Sequence, residues 1–229
     1  MTRKLFWEDP YRTTLDTVVA EVAGEEVRLA ETILYALSGG QESDRGSIAG
    51  RPVLAARWQG RDILYRLPPG HGLAAGDPVA VALDWERRYR LMKLHFAAEL
   101  VLELCTRTLA PIAKVGAHIA ADKARIDFAR ETSLAPALPG LAAAAAEIIA
   151  ADRPIVSAFG DAAAERRFWE VEGFARVPCG GTHLRRTGEV GPLLLKRQNP
   201  GRGKERIEIR LAEGAPVRTP SPACGRGSG

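Results

Sequence analysis

Cysteine is scarce in this 229-residue chain: there are three, Cys105, Cys179 and Cys224, an odd number at wide spacing. That excludes a disulfide framework as the basis of the fold. Long apolar runs are also missing. No stretch reaches the roughly 18 uninterrupted apolar residues of a membrane-spanning helix. The opening MTRKLFWEDP turns polar at once, so no apolar signal core is expected. Nor is there a marked charge excess, since 32 Lys plus Arg stand against 28 Asp plus Glu, a net charge of +4. Such mild basicity permits a nucleic-acid partner without demanding one. The expected class is a cytoplasmic protein without a membrane partner. At 46% apolar and 26% charged it can build a proper core. Its length allows one large domain or two small ones.

Residues 1–85 read as short strands separated by Gly- and Pro-containing turns such as SGGQESDRGS, QGRD and PPGHGLAAGD. That pattern predicts a small barrel-like or curled sheet. It changes at Trp85. WERRYRLMKLHFAAELVLELCTRTLA has no interior Gly or Pro and repeats apolar residues at spacings of three and four, which predicts a long helix ending before Pro111. VGAHIAADKARIDF predicts two strands turning near Ala121–Lys123, LPGLAAAAAEIIAAD a second helix, RPIVSAFG an extended segment, and DAAAERRFWEV a short helix or turn. The fold class is therefore α+β. A β domain over 1–88 precedes an α+β domain over 89–212, and 213–229 is too poor in apolar residues to be expected to order.

Only four histidines are present, so their neighbours matter. His95 and Glu99 are four apart on the long helix, which puts imidazole and carboxylate on one face, a turn apart. Cys179 and His183 are also four apart, around Gly180, Gly181 and Thr182, and the two glycines let the backbone curl tightly. Sulfur, imidazole and carboxylate are all zinc ligands, and catalytic zinc sites keep one position open. If the helix and the later loop meet, four candidate ligands converge, with Glu99 as the one able either to ligate or to serve as general base. The rival chemistry is a Cys179 nucleophile with His95 or His183 as base. Gly39, Gly40 and Gln41, followed by Asp44, form a candidate pocket-lining loop. Basic residues gather at Arg87–Lys93, at Arg185 and Arg186, and from Lys196 through Arg197, Arg202, Lys204 and Arg206 to Arg210. The last group is able to track phosphates or simply to be a solvated strand face.

Taken together, LFWEDPY, TILYALSGGQESDRGSI, DWERRYRLMKLHFAAEL, KARIDF and CGGTHLRRTGEVG resemble signatures of the alanyl-tRNA editing family, over most of residues 5–210. The family comprises freestanding editing proteins and the matching domain of alanyl-tRNA synthetase. CGGTH followed by TGEVG, after the helix, is the most specific element. The resemblance implies hydrolysis of the ester that joins tRNA(Ala) to a wrongly attached serine or, in some members, glycine. It implies Zn²⁺ held at His95, Glu99, Cys179 and His183, where Glu99 replaces the family's second helical histidine. Thr32 matches a threonine that contacts the serine hydroxyl, and Gln41 falls in the family's pocket loop.

Only the acceptor end of the tRNA is expected to enter the site, with basic strands holding the rest by backbone and shape. A monomer is favoured, and nothing in the chain resembles an ATP-binding synthetase core. A Cys179 thiolate and a Glu99 carboxylate would cancel the charge of Zn²⁺, which favours a loosely bound or water-orienting Glu99. Two other functions stand beside this one. They are a related hydrolase of another small acyl or aminoacyl substrate, and a non-catalytic tRNA-binding relative in which Glu99 pairs with an arginine.

Overall fold

A computed structural model describes residues 1–212; the expected unordered tail, 213–229, lies outside the described residues. The first half alternates apolar and polar residues between turns, so it forms strands with one inward face. β1 (Arg3–Lys4) is followed by β2 (Thr14–Ala23) and β3 (Glu26–Leu29), which form a hairpin around Gly24 at φ +62°; β4 (Glu31–Thr32) returns to pair in parallel with β1. β5 (Gly46–Ile48), β6 (Arg51–Pro52), β7 (Ala55–Gln59), β8 (Asp62–Arg66) and β9 (Pro78–Leu83) complete this half. Seven strands form one sheet in the order β6-β5-β9-β2-β3-β8-β7. Its two edge strands, β6 and β7, are consecutive in the chain and joined by only Val53 and Leu54. The sheet must therefore curl until its edges approach. It stays an open, half-barrel-like sheet, because β6 and β7 do not pair.

Asp84 accepts a hydrogen bond from the Arg87 backbone N–H and so caps α1 (Trp85–Thr108). Every residue from Leu91 to Ala98 is buried, so the middle of this helix has no solvent face. β10 (Ala113–Ile119) and β11 (Ala124–Ala129) form the expected hairpin, and α2 (Leu138–Ala150) is the alanine-rich helix. β12 (Val156–Asp161), β13 (Arg166–Val171) and β14 (Ala175–Pro178) make a three-stranded antiparallel sheet. β15 (Leu193–Gly201) and β16 (Lys204–Leu211) pair with the first hairpin in the order β10-β11-β16-β15. One expectation is corrected here: DAAAERRFWEV is not a helix. Its RRFWEV portion is β13, whose alternation buries Arg167, Trp169 and Val171 on one face, a period of two rather than 3.6.

Apolar side chains form two buried clusters. One runs from Leu5 to Leu83 inside the curled sheet; the other surrounds α1 and α2, and Trp85 packs against both. Two tethers between them shape the site. The Ser38–Glu42 loop docks on β10, where the Ile119 N–H donates to the Gly40 carbonyl and the Glu42 N–H to the Ile119 carbonyl. Gly40, at φ +89°, tolerates no side chain here, since a Cβ would stand 2.7 Å from the Ala117 carbonyl oxygen. In the other tether, Trp7 Nε1 donates to the Gly180 carbonyl at 2.8 Å.

Candidate metal centre

α1 presents His95 and Glu99 one turn apart, and the loop after β14 presents Cys179 and His183. One ligand-type atom from each lies within 4.8 Å of all the others. His95 Nε2 is 3.2 Å from Cys179 Sγ and 3.3 Å from Glu99 Oε2, and His183 Nε2 is 3.4 Å from the same oxygen. Ligands about 2.0–2.3 Å from a tetrahedral ion are separated by about 3.3–3.8 Å, so these three spacings are close to those of a four-coordinate shell. Glu99 Oε2 and His183 Nε2 are buried and have no hydrogen-bond partner, although they face each other. Buried polar atoms without partners are rare, because each forfeits its hydration. A cation between the four residues satisfies both, and the donor set of one sulfur, two imidazole nitrogens and one carboxylate oxygen suits zinc chemistry.

The imidazoles are held from behind. His95 Nδ1 donates to Gln41 Oε1 at 2.6 Å, which leaves Nε2 toward the centre. Gln41 is itself fixed by Thr182, whose hydroxyl accepts from Gln41 Nε2 at 2.9 Å. His183 Nδ1 lies 3.1 Å from the Ser157 hydroxyl. Such partners set tautomer and ring orientation. Gly181 packs against the His95 ring so closely that a Cβ would stand 2.2 Å from Cε1. The electrostatics agree. Burial pushes the His95 and His183 pKa values down, but the adjacent Glu99 and Cys179 outweigh it and raise both. Burial pushes Glu99 up, yet His95 and His183 hold it well below the usual carboxylate range. Burial likewise raises the Cys179 thiol, but His95 and His183 bring it down to about 7. Glu99 and Cys179 thus form an anionic pair whose charge is offset by the two imidazoles, the place that a bound cation would take over.

A cleft of about 280 Å³ opens beside His95, Glu99 and Cys179, with Leu102, Ile119 and Val177 among its walls. No helix among the described residues is long and apolar enough to cross a membrane.

Residues 167–208 match the family model described as the threonyl and alanyl tRNA synthetase second additional domain. The alanyl-tRNA editing protein AlaX-M of Pyrococcus horikoshii is 31% identical over 219 residues, 92% of this chain and 98% of that protein. The chain belongs to the alanyl-tRNA editing protein family. AlaX-M of Methanosarcina acetivorans is 29% identical, with 93% of this chain and 100% of that protein aligned. An alanine–tRNA ligase of Methanocorpusculum labreanum is 30% identical over 91% of this chain but only 25% of its own length. The alignment with the freestanding members is thus end to end, and that with the ligase is to a part of it.

Of the residues expected at the site of this editing-family protein, Gly39, Gly180 and Gly181 line the cleft beside the four ligand candidates. Gln41 and Thr182 stand behind His95. Two others are placed elsewhere. Thr32 is fully buried, 2.7 Å from the Tyr65 hydroxyl and accepting from the Leu34 N–H, and is not among the cleft-lining residues. Asp44 is buried in an ion pair with Arg88 and accepts from the Tyr35 N–H. Both hold the N-terminal core together. Glu99 Oε2 faces both imidazole Nε2 atoms, at 3.3 and 3.4 Å.

The basic residues divide. Arg185 pairs with Asp9, Arg186 with Asp152, Arg197 with Glu205 and Arg206 with Asp127. Lys196, Arg202 and Lys204 are exposed and make no ion pair with a described residue. Ser157 and Trp7 are contributors that the sequence did not single out. Trp7 sits in the quoted LFWEDPY segment, whereas nothing in the local sequence marks Ser157.

Proposed function

We propose that this chain hydrolyses misacylated tRNA(Ala) in trans, removing serine and, as a second substrate, glycine, with Zn²⁺ held by His95, Glu99, Cys179 and His183. The observation that carries this reading is the convergence of the four ligand-type atoms with two of them buried and unpartnered. Membership of the editing family, whose AlaX-M members are named as alanyl-tRNA editing proteins, supports the substrate class. When bound, the metal supplies a Lewis acid that polarises the ester carbonyl and acidifies water.

The chain's own residues supply the rest. Gln41 and Ser157 keep both imidazole Nε2 atoms toward the centre, and Gly181 lets His95 approach the loop. The Leu102, Ile119 and Val177 side chains give the cleft an apolar wall beside the centre. Glu99 Oε2 is the fourth ligand, and the same carboxylate is the candidate group for orienting water at the centre. We assign two functional units, an N-terminal β domain over 1–88 and an editing domain over 89–212 with α1 as its metal-site helix; the two separate apolar clusters support this division. The protein acts as a cytoplasmic monomer on the acceptor end of tRNA.

The test is a deacylation assay on Ser-, Gly- and Ala-tRNA(Ala), with metal content measured on the same sample. The expected result is hydrolysis of Ser-tRNA(Ala), sparing of Ala-tRNA(Ala) and one zinc per chain. A fully loaded protein that releases neither serine nor glycine sinks the proposal. A second reading, a related hydrolase of another small acyl or aminoacyl ester, is favoured by Glu99 in place of the family's second helical histidine. The same assay run with other aminoacyl esters separates the two. A non-catalytic relative would pair Glu99 with an arginine. Here the carboxylate faces two imidazoles instead.

A further inference from the structure

A second cleft, of about 230 Å³, touches the centre from the His183 side. Arg167 lines it and is only 6% exposed. Its Nη2 donates to the Trp7 carbonyl at 2.8 Å, but its Nε has no partner. No carboxylate of a described residue pairs with it. The two acids that line the same cleft are already engaged, Glu8 with Arg3 and Asp9 with Arg185. Arg167 is therefore a buried cation without a carboxylate partner; burial works against its charge, and the Cys179 thiolate acts on it only through space.

A purely structural role explains part of this. The guanidinium lies 5.6 Å from the Trp7 ring centroid and 5.2 Å from that of Phe159, and with the Trp7 carbonyl it staples the N-terminal segment to β13. Stapling accounts for Nη2 and for the ring contacts. It does not account for an unpartnered Nε beside a cleft that contains no free acid. The missing partner is an anion, and the planar guanidinium fork matches phosphate geometry. Arg185 lines the same cleft, but its guanidinium is already held by Asp9, which leaves Arg167 as the cation to be matched. The surroundings narrow the class of anion further. Trp7 stacks on Trp58 and meets Phe159 edge-on, and Phe159 is 42% exposed. Guanidinium groups beside exposed aromatic rings are the pairing that holds single-stranded nucleic acid, one binding phosphate and the other bases.

The geometry points to this cleft as a binding site for a phosphodiester of single-stranded RNA, with Arg167 as its partner, set beside the metal centre so that the chain end beyond that phosphate reaches the zinc ligands. This inference rests on the tRNA deacylase reading and adds a subsite to it. Arg167 is a binding residue here, not one that touches the reacting ester.

The test is calorimetric titration of the full-length, zinc-loaded protein with adenosine, inorganic phosphate, 5′-AMP and the trinucleotide CCA. AMP and CCA are expected to bind about tenfold tighter than adenosine. Arg167→Gln should abolish that difference, and Arg167→Lys should keep part of it. Equal affinity for adenosine and AMP overturns the assignment. Inorganic phosphate binding as tightly as CCA also overturns it, because the site would then be a free-anion site. If Arg167→Gln does not fold, hydrogen exchange of the wild-type protein with and without CCA decides. Protection at residues 155–157 and 181–185 supports the cleft, and protection only elsewhere overturns it. Hydrolysis of Ser-tRNA(Ala) without Arg167-dependent binding removes this inference alone. Arg167-dependent binding without hydrolysis of any aminoacyl ester removes the proposed activity and leaves the cleft standing.

Discussion

Two groups of buried charge lie at the two ends of the same loop, and they are built oppositely. Arg88 and Asp44 are both fully buried at their side chains. Arg88 Nε donates to Asp44 Oδ1 at 2.8 Å, and its Nη1 and Nη2 also reach the Pro10 and Ile33 carbonyls. Asp44 Oδ2 accepts from the Tyr35 N–H at 2.6 Å. Every charge there is matched within the protein. A few residues away along the loop, Gln41 leads to His95, Glu99, Cys179 and His183, where Glu99 Oε2 and His183 Nε2 are left unmatched. Burial of charge is common to both. What separates a structural clamp from a site is whether the hydrogen-bonding capacity is used up, because a folded protein retains buried unpaired groups only where something else completes them.

The largest expected effect breaks the comparison at its closed end. Asp44→Ala leaves the Arg88 guanidinium buried without its anion, and removing one partner of a buried pair costs about 3–5 kcal/mol. Urea denaturation of the metal-loaded protein measures it. A loss under about 1 kcal/mol would mean that the pair is no clamp, and the contrast with the metal centre would dissolve.

At the open end the prediction concerns occupancy rather than stability. Glu99→Ala should lower zinc stoichiometry and deacylation together, with excess zinc restoring much of the rate. That outcome makes Glu99 a ligand, the role its 3.3 and 3.4 Å distances to the imidazole nitrogens allow. Full occupancy with lost turnover would instead assign it to orienting water, the role that the charge argument from sequence favours. Metal analysis beside the rate at saturating zinc separates the two.

One step smaller is the group that joins the two regions. Gln41→Ala removes the acceptor for His95 Nδ1 and the link to Thr182. Deleting such a support behind a metal ligand typically costs about 10–100-fold in metal affinity or activity. Gln41→Glu, which still accepts the Nδ1 proton, should recover part of the zinc affinity in a competition titration. If Gln41→Ala binds zinc as tightly as the parent chain, the support is dispensable.

How far the sequence revealed these regions follows from which signals are local. The four ligand candidates were legible because each pair has i, i+4 spacing, and the long helix because its formers run unbroken from Trp85. Thr32 and Asp44 were not, because a sequence motif does not say which way a side chain points. Both lie in the first half, Thr32 at the end of β4 and Asp44 in the loop before β5, and both turn inward to partners 33 and 44 residues away, Tyr65 and Arg88. β13 was misjudged because Arg-Arg-Phe-Trp-Glu-Val reads as amphipathic at either period; only the burial of Arg167, Trp169 and Val171 decides for two. Arg167 escaped notice for the same reason. A buried cation looks like any surface arginine until its surroundings are known.

The smallest effect sharpens the same distinction at the surface, between charge already matched and charge still available. On β15 and β16, Arg197 is held by Glu205 and Arg206 by Asp127, and Glu205 is itself nearly buried and also accepts from the Leu134 N–H. Lys196, Arg202 and Lys204 lie on the same hairpin, exposed and outside any such pair with a described residue. A cation that has a fixed acidic partner gains less from a phosphate, because it must give up one anion for another, whereas a solvated lysine releases counterions from the RNA outright. Lys196→Ala, Arg202→Ala and Lys204→Ala should each weaken binding of tRNA(Ala) and lower the slope of log affinity against log salt by about one where the side chain meets a phosphate. Arg197→Ala and Arg206→Ala should leave that slope nearly unchanged and instead lower stability, Arg197→Ala the more, since it strips a nearly buried carboxylate of its partner. Filter binding across a salt series, beside thermal unfolding of the same five variants, sorts them. If the paired arginines move the slope as much as the lysines do, the strand face binds RNA by exchanging partners, and matched charge does not mark a structural residue there.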